Sequence, residues 1–337
     1  MFCCILLAIK ILAIPPGVHM ESINLEQIDQ LEILTLQDNY IDLASQDGNE
    51  MVQRAMPLKG MAFANSITAE HGFSTMVSAD RKGCRNTMLF DFGFSPTGAS
   101  ENAKKLGVDF SSVEMLALSH GHIDHSGGFE TMVKNIDKKG LPMVAHPSAF
   151  KENRVIKITE EFKITMPMLS KETIKKINVD LIEAQGPYPI FGGKICFLGE
   201  IPKTNNFEKG SVFFYYQENE QEKWDPMDDD TALIAHLRGK GLIVLSGCAH
   251  SGIANTVKYA QEITGIDKVH AIMGGFHLTG PEFSPIIETT VNALKDINPD
   301  FIIPTHCTGR NAMMRIQKEM PEQYLLNMAG TRMVFKA

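Results

Sequence analysis

The chain has little with which to hold nucleic acid, span a bilayer or build a disulfide framework. Among 337 residues, Lys and Arg number 32 against 40 Asp and Glu, a formal net charge of −8. Neutralising phosphates calls for the opposite balance and a basic stripe with interleaved aromatics. No such stripe occurs, and short pairs such as Lys138-Lys139 and Lys175-Lys176 read as solvated faces. The six cysteines form no C-x-x-C pair. Cys3 and Cys4 lie in the first residues, while Cys84, Cys196, Cys248 and Cys307 are scattered. That usage fits reduced thiols in a cytoplasmic protein. Phe2 to Ile14 is almost wholly apolar but interrupted by Lys10, and it is shorter than the about 20 residues a bilayer requires. No positive charge precedes it and no small-x-small cleavage site follows, so it is also a poor signal peptide. Residues 1–19 are expected to be an apolar leader outside the fold, with translation starting at Met20, and no stable membrane insertion is expected.

What is present is an ordinary globular composition, 44% hydrophobic and 21% charged. No linker divides the chain, so residues 20–337 are expected to form one domain. Strand-like runs occur at 33–36, 75–78, 87–90, 115–118, 142–145, 195–198, 212–216, 231–235, 242–245, 269–273 and 301–303. Helical patterns lie between them at 99–106, 253–264 and 284–297, the first two stopping at Gly107 and Gly265 and the third before Asn298-Pro299. Strands with interleaved helices imply an α/β protein with two packed sheets covered by helices. The acidic stretch from Gln217 to Asp230 reads as an exposed, hairpin-like connection rather than a calcium cage, which needs spaced oxygens and a glycine turn.

The most informative run follows the apolar segment Met115-Leu116-Ala117-Leu118: Ser119-His120-Gly121-His122-Ile123-Asp124-His125-Ser126-Gly127-Gly128. Imidazole and carboxylate are ligands for zinc, manganese and iron. Positions i and i+2 at a strand end face one way, so His120 and His122 can reach one ion. Asp124 and His125 then turn into the next loop, where they can reach a second. His236 and His270 lie in or beside apolar runs and read as core histidines. Cys248 and Cys307 lie beside His250 and His306, so either could bind metal, but they read first as small buried residues supporting turns.

The H-x-H-x-D-H run resembles the signature of the metallo-β-lactamase superfamily. Asp91-Phe92-Gly93, Ser246-Gly247-Cys248-Ala249-His250 and Pro304-Thr305-His306 extend the resemblance along the chain. Glu70-His71-Gly72-Phe73-Ser74, Gly199-Glu200-Ile201-Pro202-Lys203 and Gly274-Gly275-Phe276-His277-Leu278 resemble one branch, that of the dihydropterin/ribofuranosylaminobenzene 5′-phosphate synthase of methanopterin biosynthesis. The resemblance implies a four-layer αβ/βα sandwich, two mixed sheets flanked by helices with metal at one edge. It implies one or two divalent ions, zinc first, with manganese or iron as alternatives. His120, His122 and His250 would hold one ion, and Asp124, His125 and His306 the other. Asp91 would orient a ligand histidine; His71, Ser74, Glu200, Lys203 and His277 would contact substrate; Asp124 and His277 would take part in catalysis. Many superfamily members have a bridging aspartate after the strand preceding the last motif. Here that stretch is Met273-Gly274-Gly275-Phe276-His277, without a carboxylate, so the second ion is expected to be weak or absent unless His277 replaces it.

The expected activity is hydrolysis of a small ester-like or phosphorylated molecule by a metal-bound hydroxide. The alternative is a transferase that condenses a dihydropterin with an aminobenzene ribose phosphate. A non-catalytic metal-binding protein is the third reading. With no export signal evident, β-lactam hydrolysis is not expected. The expected partner is a small molecule; oligomeric state is open.

Overall fold

The computed structural model describes residues 23–56, 58–63 and 66–337. The expected leader, with Cys3 and Cys4, lies outside the described residues. Two mixed sheets dominate. The larger runs in the order Val179–Glu183, Leu141–Ala145, Val113–Ala117, Cys84–Phe90, Ser74–Arg81, Gln30–Gln37, Arg332–Lys336, Val52–Gln53. Its first four strands are mutually parallel and the rest antiparallel. The other runs Tyr188–Ile190, Ile195–Phe197, Ala232–Leu237, Gly241–Ser246, Val269–Gly275, Phe301–Thr305, and its last three strands are parallel.

Strand Gly241–Ser246 shows why the sheets stack. All six residues are buried. Alternate side chains point to opposite faces: Ile243 and Leu245 enter the core between the sheets, beside Val77, Phe90 and Met115 of the larger sheet. Leu242 and Val244 enter a second core against the helices. A strand covered on both faces is apolar throughout rather than alternating. Helix Ile253–Thr264 ends at Gly265, φ 66°. Helix Ile287–Ile297 buries Ile287, Val291 and Leu294 along one face and ends at Asn298, φ 51°. Removing the Leu294 side chain from this packing costs about 2–5 kcal/mol. A third core packs the larger sheet against helices Gly98–Lys105, Phe129–Ile136 and Lys171–Lys176. The layers are therefore helix, sheet, sheet, helix.

Two expected elements shift. The helix placed from Ser284 begins with a 3₁₀ turn, Ser284–Ile286, and becomes α-helical at Ile287; Pro285 has no N–H to give an α-helical ladder. The strand placed from Val212 begins at Phe214, and Val212 is 64% exposed. Phe214–Glu218 belongs to a separate four-stranded sheet with Lys163–Thr165, Val155–Lys157 and Gln221–Trp224. Among the described residues no helix is long and apolar enough to cross a membrane.

Candidate metal centre

Ligands in open α/β sheets collect outside the carboxyl ends of parallel strands, where loops leave the sheet and helix N-termini approach. Here Asp91, His120, His250, His277 and His306 all follow the carboxyl ends of such strands. His120 lies in the turn after Val113–Ala117, and His122 is the N-cap of a short helix, Ile123–Ser126. Asp124 and His125 therefore sit in a helical turn and not in a loop. Asp91, Ala249, His277 and His306 all have φ between 44° and 59°. Left-handed backbone costs a non-glycine residue about 1–2 kcal/mol, and such strain gathers at functional sites.

The imidazoles form two adjoining clusters. In the first, the rings of His120, His122 and His250 lie 4.6–4.8 Å apart, centroid to centroid. In the second, His125 and His306 stand 5.0 Å apart, and Asp124 Oδ2 is 3.2 Å from His306 Nε2 and 3.8 Å from His125 Nε2. His120 and His125, 4.2 Å apart, join the two.

The partners of each ring fix its free nitrogen. Asp91 is fully buried and accepts from Ser119 N and Ser119 Oγ, both at 2.7 Å, and from His125 Nδ1 at 2.6 Å. The Ser119 hydroxyl proton is thereby used, so Ser119 Oγ accepts from His120 Nδ1 at 2.9 Å. Asn39 Oδ1 accepts from His306 Nδ1 at 3.1 Å. His120, His125 and His306 are left presenting unprotonated Nε2 lone pairs when neutral. His120 Nε2 and His250 Nε2 face each other at 3.2 Å. His122 Nε2 and His306 Nε2 are buried without a hydrogen-bond partner. Buried polar atoms are ordinarily satisfied, and converging lone pairs call for a cation between them. The donor set, imidazole with carboxylate, suits zinc, iron or manganese. The residues thus fit divalent metal, with His120, His122 and His250 around one position and Asp124, His125 and His306 around the other.

The electrostatics of the clusters differ in the metal-free protein. Burial first, and neighbouring histidine charge second, push His120 and His250 well below the usual range, and burial with nearby Arg154 brings His122 down to about 3. Burial also opposes charge on His125, but Asp91 and Asp124 overcome it and raise this group to about 9. Burial resists ionisation of Asp124, yet His125 and the neighbouring His306 and His71 rings hold it well below the carboxylate range.

Each ligand-bearing loop is held by a buried carboxylate. Asp91 takes Ser119 N; Asp229 takes Gly121 N at 2.8 Å; Asp230 takes His250 N and Ser251 N at 2.9 and 2.8 Å; Asp38 takes His306 N at 3.0 Å. Arg154, also fully buried, donates two hydrogen bonds to Asp229 and one to Asp225. A Cβ on Gly121 would stand 2.1 Å from Ala149 O, so only glycine lets the H-x-H turn pass over this network. The acidic stretch is an exposed hairpin as far as Trp224, as expected, but its continuation is not exposed. Asp225, Asp229 and Asp230 are buried, because the Arg154 guanidinium and backbone N–H groups compensate their charge.

The remaining site candidates divide. His71 is exposed at the mouth, with Nε2 3.4 Å from Asp124 Oδ2, and that carboxylate raises it above the usual range. His277 packs 4.1 Å from His250, with Nδ1 buried and unpartnered. Ser74 is fully buried and its hydroxyl donates to Asp91 O, so it offers substrate no surface. Lys203 donates to Pro226 O, as a structural turn would have it, and Glu200 is exposed, with Asp228 and Lys151 nearby. No contact joins either residue to the clusters. His270 is buried and bonded to Asp300; His236 is half-buried. Sequence reasoning missed Arg154 and Phe214, whose ring stacks edge-on against His122 and His250; it ranked Cys248 as a turn residue before a ligand, and the thiol faces both clusters.

The sequence comparisons agree with this arrangement. Residues 68–253 match the metallo-beta-lactamase superfamily. The chain belongs to the metallo-β-lactamase superfamily. It is 31% identical over 304 residues to a 7,8-dihydropterin-6-methyl-4-(beta-D-ribofuranosyl)-aminobenzene-5′-phosphate synthase of Methanocaldococcus jannaschii, covering 89% of this chain and 95% of that protein. A second protein of that organism, uncharacterized, is 32% identical over 261 residues, 74% of this chain and 88% of its own length. Among solved structures, Tm1679, described as a metal-dependent hydrolase of the beta-lactamase superfamily, aligns with TM-score 0.68 and 23% identity, covering 91% of this chain and 100% of that one. The metallo-β-lactamase fold of the chain, a mixed α/β sandwich, follows from these likenesses together with the layers described above.

Proposed function

We propose that this chain is a metal-dependent hydrolase of a small ester-like or phosphorylated substrate. The observation that carries this reading is the pair of buried imidazole nitrogens, His120 Nε2 and His250 Nε2, facing each other at 3.2 Å beside a second, carboxylate-bearing cluster. Divalent ions held there would supply Lewis acidity and lower the pKa of water toward neutrality. The chain's own residues do the rest. Asp91 keeps His125 and, through Ser119, His120 with their Nε2 atoms turned inward, as partners behind a ligand do. Phe214 walls His122 and His250 from water on one side. His71, whose protonated form Asp124 favours, stands at the mouth where a leaving group departs and can give it a proton. His277 brings an unpartnered ring nitrogen to the far side of His250.

A transferase reading has a specific observation in its favour. The likeness to the synthase spans 95% of that protein, and Phe207 and Phe283 border a small cleft beside His250 and His277, where an aromatic ring of a substrate could find an aromatic neighbour. One experiment separates the readings. The metal-loaded protein is incubated with bis(p-nitrophenyl) phosphate and with simple lactones in buffer alone, then with a dihydropterin diphosphate plus an aminobenzene ribofuranosyl phosphate. Turnover in the first arm, abolished by His122→Ala, supports the hydrolase. Silence there and condensation in the second arm replaces it with the transferase.

A further inference from the structure

Cys248 stands where the two clusters meet. Its thiol lies within 4.8 Å of donor atoms of His120 and His250 in one set, and of Asp124, His125 and His306 in another, with every atom of each set within that distance of the others. Cys248 Sγ is 3.1 Å from His125 Nε2, and the residue is 2% exposed. The orphaned Nε2 atom of His306 belongs to a ring of the second set. The place where a bridging carboxylate was sought offers no room for one. A Cβ on Gly275 would lie 2.5 Å from Cys307 Sγ and 2.6 Å from Gly247 O, and one on Gly274 2.2 Å from Ser246 O.

We propose that the Cys248 thiolate is the ligand shared by both metal positions, standing in for the bridging carboxylate that this chain lacks. The inference rests on the metal-centre reading above. A thiolate sulfur carries several lone pairs on one atom, so it can bind two ions from a point between the clusters. On loading, the S–H bond breaks, a metal–sulfur bond forms and the proton passes to solvent, with no change of oxidation state. Sulfur shifts the preference of the site toward zinc, iron and cobalt and away from magnesium and manganese. The second ion is then held by four donors, Asp124, His125, His306 and Cys248, and is not the weak site that the missing carboxylate suggested.

The test is to load the full chain with Co(II) and record metal content and near-ultraviolet absorption for the wild type, Cys248→Ser, Cys248→Asp and Cys307→Ser. The wild type is expected to bind two ions and show a thiolate-to-cobalt charge-transfer band. Cys307→Ser should keep the band and Cys248→Ser should lose it. Cys248→Asp, which restores the carboxylate, should keep two ions without the band. A cobalt-loaded wild type without the band overturns the proposal even if no variant folds. So does a band that survives in Cys248→Ser or vanishes in Cys307→Ser. Absence of any cobalt uptake is a different failure, because it removes the metal-centre reading and this one with it.

Discussion

The two donor clusters are built within one sandwich edge from the same kinds of residue, yet they are electrical opposites. The first holds three neutral imidazoles that burial and mutual repulsion keep from protonating. The second pairs an ionised carboxylate with an imidazole that holds its proton until about pH 9 in the absence of metal. The difference comes from what stands behind each cluster. Behind His122 is a cation, Arg154, and behind His125 is an anion, Asp91. A first ion should therefore enter the His120 cluster without displacing an imidazole proton, and a second ion should displace one from His125.

The largest break in this comparison comes from Asp229→Ala. It leaves the Arg154 guanidinium with Asp225 as its one carboxylate partner and frees Gly121 N. Stability should fall by about 3–5 kcal/mol, the usual cost of stripping a buried ion pair of one partner, and the first cluster should lose its ion. Denaturant unfolding together with metal analysis reads both, and unchanged midpoints would refute the anchoring role.

Asp91→Asn acts on the other cluster. The amide cannot hold His125 as a carboxylate does, so affinity at the second position should drop about 10–100-fold. The first position should suffer less, since Asp91 reaches His120 only through Ser119. Equal losses at both positions in a competition titration would erase the distinction.

A pH series sharpens the contrast. The His125 pKa in the folded metal-free protein, about 9, lies above the ordinary 6.5. A raised value means stability present below pH 6.5 and lost as pH climbs through 9, at most about 3 kcal/mol. Chelator-stripped protein should therefore unfold more easily at pH 9.5 than at pH 6, while uptake of the second ion strengthens over the same interval. A flat profile would show that His125 is neutral throughout.

Asn39→Ala should give the smallest effect. Asn39 touches His306 through Nδ1 and the carbonyl, and also His71. About 1 kcal/mol of second-site affinity should go, with the first site untouched.

The local periodicities were readable along the chain. The runs at 115–118 and 242–245 are strands, and the helix at 253–264 has the expected bounds. The histidines that the pattern nominated do lie side by side. The anchors were not readable. Asp225, Asp229 and Asp230 look like a solvated acidic loop, and nothing nearby in sequence announces Arg154, which comes from a segment more than seventy positions earlier. The resemblance implied that Ser74 contacts substrate, but its hydroxyl faces inward to Asp91 O.

By itself the sequence determined which residues carry metal-ligand chemistry and which segments alternate in or out of a core, because ligand chemistry and side-chain period are local properties. Only the tertiary structure decided which nitrogen of each histidine points inward, which cluster is neutral and which anionic, and that a cysteine lies between them. Those depend on partners such as Asp91, Arg154 and Asn39, whose distance through space is unrelated to their distance along the chain.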